Sequence, residues 1–190
     1  NYLNQILDGL EAIHNEGMFH LDIKPANIMV DSHDVVKLID FGASKQQSMV
    51  GGATISTGIS YTNGYAPSEQ MAQSYDKFGP WTDFYALGAT MYKLLTNQDP
   101  PFVSDLSEDE TEDKHLALPM PNVSEEMKRL VVWVMQVNRL KRPKSVGEIR
   151  RILQQSSAAT SNNEETKAFS PHHSYANSVD DEEETVWASK

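Results

Sequence analysis

Apolar side chains at Leu3, Ile6, Leu7, Leu10 and Ile13 recur three and four residues apart, which predicts a helix over residues 2–14 with one buried face. Asn15-Glu16-Gly17 ends it. Two short apolar runs, Asn27–Val30 and Val35–Ile39, flank the turn formers Asp31-Ser32-His33-Asp34 and predict a small β-hairpin with polar loops at both ends. From Ala43 to Gly64 the chain is mostly Ser, Thr, Gly, Gln and Asn, which predicts a long irregular loop, and loops of that length usually carry function. Thr82 reads as the N-cap of a helix reaching about Leu95, apolar on most sides and so buried. Asn97-Gln98-Asp99-Pro100-Pro101 stops it. Ser124 opens an amphipathic helix to about Val137, and Ser145 another to about Leu153. Beyond Gln155 the periodicity dissolves into Ser, Asn, Thr and acids around isolated Phe169, Tyr175 and Trp187. Such a stretch buries too little surface to offset its ordering entropy and is expected to be disordered. The expected organisation is one domain over residues 1–154 and a tail over 155–190.

Charge refines this picture by its location. The formal net charge is −11, but six acids and no base lie between Asp105 and Asp113, and Gln155–Lys190 holds seven acids against two lysines. The remaining residues carry fourteen of each sign, so the folded part is neutral and offers no basic stripe to a phosphate backbone. Nucleic acid is excluded as an expected partner. With no cysteine, there is neither a disulfide framework nor a thiolate metal site or nucleophile. The apolar stretch Leu130–Val137 is too short to span a bilayer. The first residues lack an initiator Met and any basic region before an apolar run, so the chain reads as a piece of a longer protein.

The informative chemistry is His20-Leu21-Asp22-Ile23-Lys24-Pro25-Ala26-Asn27, followed eighteen residues after Asp22 by Asp40-Phe41-Gly42. Transfer of a γ-phosphoryl group needs a carboxylate to orient and deprotonate the attacking hydroxyl, a cation near the moving phosphate, and oxygen ligands for magnesium. An Asp, a Lys, an Asn and a second Asp meet those needs, on the two loops that flank the predicted hairpin. The chain thereby resembles the protein kinase family, and more narrowly the eukaryotic-like Ser/Thr kinases of bacteria. At roughly 5% background usage each, His20, Asp22, Lys24, Asn27, Asp40, Phe41 and Gly42 would coincide by chance in about one register in 10⁹.

The resemblance implies that Asp22 is the catalytic base, that Lys24 contacts the transferred phosphate, and that Asn27 and Asp40 bind Mg²⁺ with ATP as the other cofactor. It covers about Tyr2 to Leu153 and implies a mainly α fold: a kinase C-terminal lobe whose small β-hairpin carries the catalytic and metal loops. Thr62-Asn63-Gly64-Tyr65-Ala66-Pro67-Ser68-Glu69-Gln70 resembles the substrate-side loop and the Ala-Pro-Glu segment. Asp83 resembles the carboxylate that holds the catalytic loop, and Arg142 the partner of Glu69. His20, Phe41, Gly42, Glu69, Asp83 and Arg142 are accordingly expected to be structural.

Two departures stand out. Position 21 is Leu where many kinases have an Arg that receives an activation-loop phosphate, so phosphorylation at Ser44, Ser48, Thr54, Ser56, Thr57 or Ser60 has no cation there to meet, and activity is expected to be independent of that switch. No Gly-rich loop, strand Lys or helix Glu is present, and these normally precede the first helix. The isolated chain is therefore expected to bind nucleotide weakly and catalyse poorly, needing its own N-terminal lobe as partner. Protein substrates bearing Ser or Thr and a cytoplasmic location are expected. The rivals are a pseudokinase or docking module and, ranked low because of Lys24, the Thr62–Glu69 segment and Arg142, a small-molecule phosphotransferase. His14, His33 and His115 read as surface or helix-end residues, and Trp81, Met91, Trp133 and Met135 as core. The acidic run reads as a solvated insertion, lacking the Gly and spacing of a calcium loop.

Overall fold

A computed structural model of the chain describes residues 2–41, 45–46, 60–106 and 118–165, the last ten of these and residues 45–46 by backbone alone. The amphipathic pattern becomes helix α1, Tyr2–Asn15, with Ile6, Leu7 and Leu10 buried. Gly17, at φ +69°, then turns the chain into β1, Met18–Phe19. A 3₁₀ turn at Pro25–Asn27 leads into the hairpin, β2 at Ile28–Val30 and β3 at Val36–Leu38, antiparallel with Ile28 opposite Leu38 and Val30 opposite Val36. Its tip is built by Asp31, whose Oδ1 accepts from the backbone N–H of His33 and Val35, with Asp34 in the left-handed region. These same bonds, with Lys37 beside them, hold the Asp31 carboxyl below the usual range. α1 grips that tip: Tyr2 donates to Asp34 at 2.7 Å, and Gln5 bonds both the Asp34 carbonyl and the Val36 N–H.

The irregular loop expected from Ala43 is interrupted at once by β4, Lys45–Gln46, which pairs antiparallel with β1. Residues 1, 42–44, 47–59, 107–117 and 166–190 lie outside the described residues, and with them Gly42, His115, five of the six loop hydroxyls, most of the acidic run and the rest of the expected tail. Helix α2, Ser68–Met71, and a 3₁₀ turn at Tyr75–Lys77 precede the central helix α3, Pro80–Thr96. α3 starts two residues before Thr82, since Pro80 is preset for the first helical position and Gly79 is the cap. Thr82 sits a turn inside and accepts from the Gly79 N–H. All residues from Thr82 to Tyr92 are buried.

Short α4, Val103–Leu106, follows α3; then α5, Glu125–Val134, is capped by Ser124, which accepts from the Met127 N–H. α5 ends three residues short of Val137. Gly88 lets α3 and α5 approach closely, because a Cβ there would stand 2.5 Å from Val134 Cγ2 and 2.7 Å from Met135 Cγ. α6, Val146–Glu165, is capped by Ser145 and runs well past Leu153, so the first part of the expected tail is helical. Through Arg150 it pairs with Glu11 and Asp8 of α1. Leu7, Leu10, Ile23, Phe84, Tyr85, Leu87, Leu130, Val131, Met135 and Ile149 form the main core. No helix among the described residues is long and apolar enough to cross a membrane.

Candidate active site

Asp22 and Asn27 share one short loop because the chain from His20 to Asn27 is pinned at both ends. At the start, the fully buried carboxylate of Asp83 accepts the backbone N–H of His20 at 2.9 Å and of Leu21 at 2.8 Å. At the end, the Ile39 N–H donates to the Asn27 carbonyl at 3.0 Å, extending the hairpin by one rung. Between them Leu21 takes φ +64°, a costly conformation for a residue with a Cβ, and Gln70 Nε2 donates to its carbonyl at 2.6 Å. Two buried side chains from other elements thus hold the loop in a shape it would not adopt alone.

Four side chains converge on this loop. Asn27 Nδ2 donates to the Asp22 carbonyl at 2.8 Å and to Asp22 Oδ2 at 2.9 Å. The Lys24 ammonium lies 2.8 Å from the same Oδ2 and 3.0 Å from Thr62 Oγ1, which donates to Asp22 Oδ1 at 2.9 Å. The Asp22 side chain is 16% exposed, so the carboxylate is held by three groups yet still meets solvent. Asp40 is exposed, at φ +61°, one residue beyond the rung that ties Ile39 to Asn27. Phe41 packs at a tilt against buried His20 with ring centroids 4.7 Å apart, and His20 Nε2 lies 3.2 Å from the Ile39 carbonyl. His20 therefore sits beneath the loop and supports it.

The donor set suits a nucleotide-borne cation better than a standing metal centre. Asn27 spends Nδ2 on Asp22, leaving its Oδ1 as the hard donor, and Asp40 adds one carboxylate; Mg²⁺ takes one or two such ligands with phosphates and water. Among the described residues no three His, Asp or Glu gather into a metal cage.

Support continues on the far side of α2. The Arg142 guanidinium meets both oxygens of Glu69, at 2.7 and 3.3 Å, with the two side chains 0% and 3% exposed. It also donates to the carbonyls of Trp81, Gln136 and Val137 and lies 4.9 Å from the Tyr85 ring centroid. Tyr65 packs against the main core, as do Trp133, Met91 and Met135; Trp81 remains half-exposed, donating to the Lys77 carbonyl. His14 lies at the end of α1, as expected, but not on the surface: its ring, 7% exposed, bonds Asp83 Oδ2 at 2.8 Å and meets Phe84 edge-on. No local pattern marked it, since its value comes from a carboxylate sixty-nine residues away. Gln70 was likewise missed as a holder of Leu21. Leu21 itself is buried with Phe19 and Phe78 in a small apolar cluster.

The protein kinase domain model matches residues 1–156. The chain belongs to the protein kinase family. It is 45% identical over 98 residues to Serine/threonine-protein kinase F of Synechocystis, covering 50% of this chain and 19% of that one. It is 38% identical over 102 residues to Mitogen-activated protein kinase kinase kinase 2 of Arabidopsis thaliana, covering 52% and 15%. Among solved structures, "PpkA-294 apo form" superposes with a TM-score of 0.62 at 30% identity, over 80% of this chain and 52% of that chain. The chain thus spans under a fifth of these two curated relatives and about half of the solved one. The fold is the helix-rich, C-terminal-lobe kind found in bacterial-type Ser/Thr kinases.

Proposed function

We propose that this kinase chain supplies the catalytic and substrate half of a Ser/Thr protein kinase, which moves the γ-phosphate of ATP to protein hydroxyls once a nucleotide-binding lobe completes it. The observation that carries the reading is the shared hydrogen-bond cluster of Asp22, Lys24, Asn27 and Thr62. Asp22 keeps one oxygen toward Thr62 and the other toward Lys24 and Asn27, so it is oriented to accept the proton of an incoming hydroxyl. Lys24 offers its ammonium beside that carboxylate, where negative charge on the transferred phosphate develops. Thr62 ties the substrate-side segment to the base, and so couples substrate position to base position. Asn27 and Asp40 would hold Mg²⁺, which when bound neutralises the nucleotide's phosphate charge.

Glu69, Asp83, Arg142, His20 and Phe41 act as scaffold in this reading, and the domain extends over residues 1–154. Because Leu21 occupies an apolar cluster where an activation-loop phosphate would need a cation, catalysis runs without that switch. Asp22→Asn, in a protein joining this chain to its nucleotide lobe, should lower turnover of a Ser/Thr peptide by ~10²–10⁴ with little change in KM. Turnover within twofold of wild type would remove Asp22 from the chemistry.

A further inference from the structure

Behind the Glu69–Arg142 pair lies a cleft of about 350 Å³, lined by Ser68, Glu69, Ser74, Lys77, Asn138 and Arg139, among others. Its volume falls within the range of small-ligand sites. Its one acid, Glu69, is neutralised by the bidentate guanidinium of Arg142. Lys77 and Arg139 have no side-chain hydrogen bond or ion pair among the described residues. Asp76, next to Lys77 in the chain, does not line the cleft.

A third cation stands close by, since Lys144 Nζ donates to the Arg139 carbonyl at 2.6 Å. Burial first, and then the positive charges of Arg142 and Arg139 against the opposing Glu148 and Glu69, hold the Lys144 ammonium below the usual lysine range. With Glu69 set against Arg142 and Glu148 against Lys144, Lys77 and Arg139 remain as the uncompensated cations of this concave surface.

We infer that the cleft is a docking site for an acidic stretch of a protein substrate, taking a carboxylate or phosphoserine side chain between Lys77 and Arg139. The inference rests on the proposed kinase reading. Ser68 and Glu69 continue directly from the Thr62–Pro67 segment, so the cleft adjoins in the chain the segment whose Thr62 bonds Asp22. A concave site of this size admits side chains singly and does not fit the plane of an anionic bilayer. A nucleic acid would ask for a longer run of cations than the cleft holds.

The test is fluorescence anisotropy of labelled peptides against the full 190-residue chain without nucleotide, using a Glu-rich peptide, a phosphoserine peptide and a Gln-matched neutral one. Acidic peptides should bind with a Kd that rises with salt, and Lys77→Glu with Arg139→Glu should weaken them at least ~10-fold. Lys128→Glu, on α5, should not. Whichever acidic peptide binds more tightly identifies carboxylate or phosphate as the preferred group. If the charge reversal perturbs the fold by circular dichroism, Lys77→Gln with Arg139→Gln reads the same effect. Equal binding of the neutral peptide, a Kd unmoved by either pair, or binding to anionic vesicles but to neither acidic peptide would each overturn the inference. Acidic-peptide binding by this chain, with no peptide phosphorylation by the protein joined to its nucleotide lobe, sinks the kinase reading alone, and phosphorylation by that protein without such binding sinks the docking site alone.

Discussion

Arg142→Ala breaks a fully buried ion pair. The guanidinium makes five hydrogen bonds, two to Glu69 and one each to the carbonyls of Trp81, Gln136 and Val137, from a side chain with no solvent exposure. After truncation the Glu69 carboxylate stays buried with Thr82 Oγ1, at 3.3 Å, as its remaining side-chain partner. Stranding a buried charge in this way costs about 3–5 kcal/mol, and the cation over the Tyr85 ring is lost as well. For a unit of this size each kcal/mol moves the melting point by about 2–4 °C, so the variant should melt about 6–20 °C early in a thermal circular dichroism scan. Adding Glu69→Gln removes the stranded charge and should recover part of the loss, which a simple cavity would not allow. A melt for Arg142→Ala within ~2 °C of wild type would refute the reasoning, because the pair would then contribute no more than a surface one.

Further outcomes concern Tyr85, Gly88 and the loop hydroxyls. The Tyr85 hydroxyl is buried without a hydrogen-bond partner among the described residues, so Tyr85→Phe should leave stability unchanged or raise it by about 1 kcal/mol in urea unfolding. Burial pushes that phenol above its ordinary 10.0, so the folded state keeps a proton that the unfolded chain releases. Stability is then unaffected below about pH 10 and falls above it, and Tyr85→Phe should flatten this alkaline loss. Gly88→Ala places a Cβ against Val134 and Met135 and should cost about 1–3 kcal/mol by the same unfolding measurement. Phosphatase treatment of the lobe-complete enzyme should leave peptide phosphorylation intact; abolition of activity would show that a phosphorylated loop finds a cation elsewhere.

Legibility differed between elements for physical reasons. The hairpin expected over Asn27–Val30 and Val35–Ile39 is found over Ile28–Val30 and Val36–Leu38, since two short apolar runs around a cluster of turn formers are a local signal. β4 was hidden because a two-residue strand of Lys and Gln has no period of its own and exists only through pairing with β1. The start of α3 was misplaced by favouring Thr82 as cap over Pro80 as first residue. α6 outlasts its apolar pattern, which marked only its buried face.

What the sequence determined by itself was the inventory: a run from His20 to Asn27, an Asp40-Phe41-Gly42 that follows it, and elements whose apolar faces require one core. The tertiary structure alone decided how the loop is held. Asp83, His14 and Gln70 come from three different elements to fix two N–H groups and one carbonyl of a strained turn, and Thr62 crosses forty residues to reach Asp22. Hydrogen bonds between distant segments leave no periodicity in either segment. They depend on the core holding α1, α2 and α3 together, and so cannot be read from any one of them.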